Sequence, residues 1–145
     1  MSSITLKNLN KAYPNGFLSV KIVSLFIEDG EFVTFHGPSG CGKSTILRMI
    51  GGLEEITSGE IYLGDVLLNE VLPRDRRLAM AFQNYALYHG LNVYENISLG
   101  LTLRDFPKNI IDTRVNSAVE FLKISHILNK KIRSITEAEK QKTAL

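Results

Sequence analysis

Nine consecutive residues near position 40 have the composition and spacing of a loop that binds phosphate. They are Gly37, Pro38, Ser39, Gly40, Cys41, Gly42, Lys43, Ser44 and Thr45, and the first eight of them match the pattern G-x-x-x-x-G-K-[ST] in full. Glycines let the backbone wrap closely, so that successive N–H groups point at phosphate oxygens. Lys43 supplies a mobile positive charge for the β- and γ-phosphates, and Ser44 offers a hydroxyl to Mg²⁺. The motif predicts a nucleotide-phosphate site, and the alternative is a glycine- and serine-rich turn without a ligand.

Other residues with reactive side chains form no second site. Cys41 is interpreted as a small loop residue, and the alternative is a reactive thiol, because the N-terminus of a helix favours the thiolate. His36 is expected to be a partly buried strand residue rather than a catalytic base. Neither His89 nor His126 has the spacing of a metal ligand, so the sequence predicts no histidine or cysteine metal site.

The residues on either side of the loop predict the elements that position it. Glu31–His36 is short, β-branched and aromatic, which is typical of a buried strand that leads directly into the loop. Lys43–Ile50 has apolar residues at helical spacing, and Gly51 and Gly52 then end the helix. The positive end of this helix would face the same anion as the loop. A strand, a loop and a helix in this order favour the phosphate site over the alternative turn.

Five further strands are predicted before residue 84. The first, from Ile4 to Leu9, alternates loosely and is expected at a sheet edge. A turn at Tyr13–Gly16 separates it from a strand at Val20–Ile27. A hairpin covers residues 60–68, and Leu78–Phe82 is expected to be a strand that delivers Gln83.

The pattern changes to helices after Gln83. Asn92 with Glu95, and Thr136 with Glu139, have the form of capping boxes that begin helices. Pro107 suits the first turn of another helix. The sequence therefore predicts a mixed α/β part over residues 1–83 and a helical part over residues 84–145.

Composition excludes several classes of protein. The 145 residues include 17 basic and 15 acidic side chains, and a net charge of +2 gives no reason to expect nucleic acid. A single cysteine allows no intramolecular disulfide. No apolar run approaches the roughly 20 residues that span a bilayer, and the first residues lack the apolar segment of a signal peptide. We expect a cytoplasmic protein without direct membrane insertion, whose contact with a membrane depends on a partner.

Beyond the loop itself, the chain resembles the ATPase family of ABC transporters. The resemblance lies in Gly37–Thr45 followed by Leu47–Glu54 and Thr57–Ile61, and then in Met80–Tyr88 and Val93–Ile97. It is nearest to the ATP-binding subunits of importers for sugars and glycerol phosphate. The fold it implies is an α/β P-loop NTPase core with an N-terminal antiparallel β portion and a partial helical subdomain.

The resemblance also assigns roles by position. It implies that Tyr13 stacks on adenine, with a surface turn tyrosine as the alternative. It implies that Gln83 contacts Mg²⁺ and the attacking water, with a polar strand-end residue as the alternative. Lys43 and Gln83 would then be the catalytic residues, ATP and Mg²⁺ the ligands, and Ser44 with Gln83 the contacts of the metal ion.

The same resemblance implies an activity and partners. ATP hydrolysis would drive the import of a sugar-like solute through transmembrane permease subunits. A second ATP-binding subunit would complete a homodimer, and the protein would lie peripherally on the inner face of the cell membrane, held there by the permease.

One motif departs from the family pattern. In the family a serine and two glycines begin a helix that contacts the γ-phosphate held by the opposite subunit. Here Thr136 keeps a hydroxyl, but Glu137 and Ala138 replace the glycines, ahead of Glu139. A carboxylate close to a phosphate is repelled by several kcal/mol at moderate dielectric, about 4 kcal/mol for unit charges 4 Å apart. The motif is therefore predicted to be degenerate.

The second departure is the end of the sequence at Leu145. The family's Mg²⁺-binding aspartate, catalytic glutamate and switch histidine would all follow that position. The resemblance therefore predicts a truncated chain, and the competing hypothesis is a non-hydrolysing nucleotide-binding remnant with no transport activity. A third hypothesis, a small kinase or another P-loop enzyme, lacks any visible acceptor site.

Overall fold

The computed structural model describes residues 2–145. The chain divides into two compact units, Met1–Met80 and Ala81–Leu145. The first unit is an antiparallel sheet with one helix, and the second is helical, so the fold is of the expected α/β type.

Unit 1 contains a sheet of four antiparallel strands in the order β2-β1-β3-β4. The strands are β1 Ile4–Ala12, β2 Leu18–Ile27, β3 Ser58–Leu63 and β4 Val66–Leu67. The predicted strand at Val20–Ile27 and the predicted hairpin are confirmed. β1 and β2 are joined by a tight turn, in which the Tyr13 amide donates to the Phe17 carbonyl at 2.9 Å.

β1 is an inner strand, so the expectation of an edge strand was wrong. It pairs with β2 on one side and with β3 on the other. Leu6 and Leu9 are both fully buried although they are three positions apart, because the register shifts between them and Asn8 has a φ of 48°. Such a bulge inserts an extra residue and breaks the two-residue period. The apolar residues of β1 alternate only loosely with polar ones because the strand contains a bulge.

Helix α1, Lys43–Ile50, is confirmed with the predicted bounds. Its buried residues Ile46, Met49 and Ile50 join the core that the sheet supplies. Gly51 ends the helix, and the buried guanidinium of Arg76 donates to the carbonyls of Met49 and Ile50 at 2.8 Å each. α1 is thus held at its C-terminal end and presents its other end to the loop.

The predicted strands at Glu31–His36 and Leu78–Phe82 are not formed. Side-chain burial still alternates in the first segment, where Val33 and Phe35 are half-buried but Phe32 is 93% exposed. His36 is exposed, contrary to expectation. A strand needs a hydrogen-bonded neighbour, and no described strand pairs with either segment.

Unit 2 contains three helices around a second core. They are α2 Val93–Thr102, α3 Lys108–Phe121 and α4 Glu137–Ala144. Its buried residues are aliphatic: Val93, Ile111, Val115, Val119, Ile124, Ile127, Ile132 and Ile135. None of the helices that the structure describes is long and apolar enough to cross a membrane.

Both predicted capping boxes are present. Asn92 and Glu95 cap α2, and Thr136 and Glu139 cap α4, each with reciprocal hydrogen bonds between side chain and backbone. Pro107 immediately precedes α3. Local sequence thus set where these helices begin.

Candidate functional site

The loop between residue 37 and α1 has a backbone that only glycine can follow at its tightest point. Gly42 has a φ of 94°, and a Cβ built there would lie 2.4 Å from the carbonyl oxygen of Ser19 in β2. Gly40 also has a positive φ, of 82°, but has open space around it. Glycine is therefore required for different reasons at the two positions: close approach to β2 at Gly42, and backbone conformation at Gly40.

The ammonium of Lys43 lies inside this loop. Its Nζ donates to the carbonyls of Gly37 at 2.8 Å and Pro38 at 2.7 Å, and to the Cys41 sulphur at 3.4 Å. An ammonium has three protons to donate, and the loop accepts all three. The positive charge is thereby held where an anion bound by the loop would meet it.

The N-terminus of α1 is open to an external acceptor. Gly42 is its N-cap and makes no side-chain capping bond, and no acidic residue lies in the first turn. The first N–H groups of a helix need acceptors, and an anion also interacts favourably with the helix dipole. Together with Lys43, this end of α1 has the chemistry of a phosphate site.

A cavity of about 590 Å³ joins the loop to the turn between β1 and β2. Its lining residues come from both segments: Tyr13, Phe17, Ser19, Ser39, Gly40, Gly42, Lys43, Ser44 and Thr45. The Ser19 and Thr45 hydroxyls lie 3.0 Å apart and connect the two walls. The structure thus brings Tyr13, a candidate only through the family resemblance, into the same cavity as the motif.

Two cavity residues, Phe17 and Ser19, were missed at the sequence level. The rings of Tyr13 and Phe17 are nearly parallel, with centroids 6.3 Å apart and an angle of 21° between their planes. An aromatic residue at each end of a tight turn was the available signal, because such a turn brings its two ends together. Ser19 had no comparable signal, since its place depends on the packing of β2 against the loop.

Gln83 belongs to unit 2, not to the unit that carries the loop. It is exposed and begins the turn Gln83–Ala86, in which Tyr85 and Ala86 have φ values of 59° and 51°. Within unit 2 it lines a cavity of about 250 Å³ together with Glu137 and Lys140. Its predicted contact with Mg²⁺ and water remains a prediction.

The start of α4 is satisfied by the chain itself. Thr136 accepts from the Glu139 amide at 3.3 Å, and the Glu139 carboxylate accepts from the Thr136 amide at 2.7 Å. The backbone and hydroxyl donors of Thr136 lower the pKa of Glu139. The Glu137 carboxylate lies 3.0 Å from Lys140 Nζ. Ala138, the other departure from the family motif, lies between Glu137 and the capping residue Glu139.

Metal-ligating side chains do not cluster in the part of the chain that the structure describes. No group of three or more histidine, cysteine, aspartate or glutamate residues is arranged to hold an ion there. His126 contacts Glu139, with its Nε2 3.2 Å from a carboxylate oxygen. A metal ion at the loop would therefore need ligands other than a cluster of protein side chains.

Similarity to known proteins extends over the whole chain. The model of the ABC transporter family matches residues 20–145. The sn-glycerol-3-phosphate import ATP-binding protein UgpC of Psychromonas ingrahamii is 50% identical over 100% of this chain and 39% of its own length. The maltose/maltodextrin import ATP-binding protein MalK of Vibrio parahaemolyticus has the same identity and coverage. The chain thus spans 39% of the length of these relatives.

Solved structures of ATP-binding cassettes share the fold. The dimeric cassette MJ0796, in a post-hydrolysis state bound to ADP and Pi, superposes with a TM-score of 0.83. It is 30% identical, and the match covers 98% of this chain and 68% of that one. The cassette cbiO1 of Clostridium perfringens, from the transporter complex cbiONQ, has the same TM-score at 23% identity, which is a likeness of fold.

Proposed function

Because this chain belongs to the ABC transporter family, we propose that it binds ATP, with the triphosphate in the loop from Gly37 to Thr45. The observation that carries the proposal is the cavity in which Lys43, the open N-terminus of α1 and the Tyr13 ring lie together. A phosphate chain needs the first two features and a flat base needs the third.

Each group has a distinct part in binding. The backbone N–H groups of the loop and of α1 donate to phosphate oxygens, and the Lys43 ammonium neutralises their charge. To reach the β- and γ-phosphates, Lys43 exchanges its loop carbonyls for phosphate oxygens. The Tyr13 ring covers the face of the base.

The cavity also fits Mg²⁺ that arrives with the triphosphate. The Ser44 hydroxyl is exposed and lines the cavity, and no carboxylate does. Mg²⁺ accepts such a site because it keeps several waters and takes ligands from substrate phosphates. When bound, the ion neutralises charge on the transferred phosphoryl group.

The role of the whole protein is proposed from its relatives. UgpC and MalK are named as import ATP-binding proteins for glycerol phosphate and for maltose or maltodextrin. We propose that the protein supplies ATP-driven import of a sugar-like solute, with transmembrane permease subunits as partners. A second copy would form the dimer, as in the cassette MJ0796, and the permease would hold the protein at the membrane.

A second candidate function is nucleotide binding without hydrolysis. The observation that favours it is the start of α4, where Glu137 and Glu139 lie in the first turn and the capping box already occupies the N-cap. A helix start that carries two carboxylates repels the γ-phosphate that the family places there. Under this hypothesis the 145-residue chain binds ATP, but the start of α4 does not contact the ATP bound by a second subunit.

The test is calorimetric titration of ATP into the wild-type chain and into Lys43→Ala. Lys43 is the only charged side chain among the described residues that line the cavity, so removal of its ammonium should lower ATP affinity by about tenfold or more. Lys21→Ala is the matched control, because Lys21 is an exposed lysine of β2 that does not line the cavity. Equal ATP affinity of the wild type and Lys43→Ala would contradict the proposal.

A further inference from the structure

Lys11, near the end of β1, is a buried lysine with three partners. Only 9% of the residue is exposed. Its Nζ lies 2.7 Å from a carboxylate oxygen of Glu54 and donates to the Glu55 carbonyl at 2.7 Å. Lysine is almost never buried without such pairing. The ammonium is therefore fixed in place by the segment that follows α1.

The third partner is the ring of Tyr13. Lys11 Nζ lies 5.0 Å from the centroid of that ring, within the range of a cation–π contact. Tyr13 lines the nucleotide cavity, whereas Lys11 does not. Lys11 thus touches the proposed base-stacking residue without reaching the ligand.

We infer that Lys11 is a positioning residue that holds the Tyr13 ring in the orientation in which it stacks on the base, and so determines the base-dependent part of ATP affinity. The inference rests on the proposed function. Its physical basis is preorganisation, because a ring that is already held loses less rotational freedom when the base binds.

The anchor of Lys11 also connects the base side of the cavity to the phosphate side. Glu54 and Glu55 follow the turn that ends α1, and the Leu53 amide donates to the Arg48 carbonyl at 2.8 Å. The other end of α1 carries Lys43. One short helix therefore determines the position of the phosphate-binding lysine at one end and, through Lys11, of the ring that stacks on the base.

The experiment separates base binding from phosphate binding. ATP and inorganic tripolyphosphate are titrated into the wild type and Lys11→Met by calorimetry. Lys11→Met should weaken ATP by about threefold to tenfold and leave tripolyphosphate unchanged. Lys11→Arg keeps a cation beside both Glu54 and the ring, so it should restore most of the ATP affinity.

Lys7→Met is the matched control. Lys7 lies on the same strand, and its Nζ is 4.6 Å from the ring centroid of Tyr62, a ring outside the cavity. The Lys7→Met variant also loses a cation–π contact, but with a ring that does not line the cavity. Its affinity for ATP and for tripolyphosphate should equal that of the wild type.

A cycle with Tyr13→Ala excludes a purely structural role. Loss of the stacking ring should lower ATP affinity by about tenfold. In the Tyr13→Ala background, Lys11→Met should then have no further effect on ATP, because the residue through which it acts is gone. If Lys11→Met alone fails to fold, Lys11→Met with Glu54→Gln takes its place, because it leaves no unpaired half-buried carboxylate.

The outcomes distinguish the inference from the proposed function. No binding of either ATP or tripolyphosphate overturns both. ATP binding that falls with Tyr13→Ala but not with Lys11→Met overturns the inference alone. Equal weakening of ATP and tripolyphosphate by Lys11→Met, or an undiminished effect in the Tyr13→Ala background, also overturns it, since either result marks a structural lysine.

Discussion

At the scale of the residue, Gly42 has the strictest requirement in the loop. Its φ is left-handed, and a Cβ added there would lie only 2.4 Å from the Ser19 carbonyl oxygen of β2. Gly40 shares the left-handed φ but has no heavy atom within 4 Å of a built Cβ. Substitutions at these two glycines therefore distinguish the cost of a strained backbone from the cost of a steric clash.

Gly42→Ala should therefore destabilise the protein more than Gly40→Ala. A strained φ costs about 1–3 kcal/mol at either position, and Gly42→Ala must in addition displace β2 from the loop. Urea unfolding of both variants measures the two free energies. Equal destabilisation would show that the contact between residue 42 and the Ser19 carbonyl does not affect the free energy of unfolding. ATP affinity should also fall in Gly42→Ala, because the first N–H groups of α1 would move.

At the scale of the element, the N-termini of α1 and α4 are built for different partners. α1 has no acidic residue in its first turn and no side-chain cap. α4 carries Glu137 and Glu139 and a complete capping box. The first arrangement leaves its N–H groups to an external anion, and the second satisfies them locally.

The capping box of α4 predicts a pH dependence. Hydrogen bonds from Thr136 lower the pKa of Glu139 from its ordinary 4.5, so folding favours the charged carboxylate. The stabilisation is present above the ordinary pKa and is lost as the pH falls through the lowered one. An NMR titration of the Glu139 carboxyl should give a midpoint below 4.5.

Two variants test the cause of that shift. Thr136→Ala removes the hydroxyl donor and keeps the backbone donor, so the pKa of Glu139 should rise towards its ordinary value without reaching it. In the wild type, α4 should lose helicity as the pH falls through the pKa of Glu139, because the capping box loses its charged carboxylate. Glu139→Gln should abolish that loss. A midpoint at or above the ordinary value in the wild type would contradict the prediction.

At the scale of the whole molecule, the chain forms two units, each with its own core. Among the residues that the structure describes, those lining the cavity at the loop supply a lysine, hydroxyls and aromatic rings, but no aspartate, glutamate or histidine. Phosphoryl transfer to water needs a group that orients the attacking water.

We therefore expect the 145-residue span by itself to hydrolyse ATP far more slowly than a typical enzyme. A phosphate-release assay with Mg²⁺ should give a turnover well below about 1 s⁻¹. Lys43→Ala supplies the background rate. A turnover at or above about 1 s⁻¹ that disappears in Lys43→Ala would refute the expectation.

Local sequence determined the features that depend on near neighbours. The bounds of α1, both capping boxes and the turn after Tyr13 follow from residues within a few positions of one another. The prediction of a phosphate loop also rests on spacing alone, because the backbone N–H groups and Lys43 that would bind phosphate lie in one continuous segment.

Tertiary structure decided the features that need a distant partner. Glu31–His36 has strand composition, yet it forms no strand, because pairing requires another segment and not only β-branched residues. β1 lies inside its sheet because β3, some 50 residues later, pairs with its second edge. The contact of Lys11 with Glu54 depends in the same way on the packing of α1 against the sheet. Long-range packing thus determined which side chains surround the motif that the sequence had already revealed.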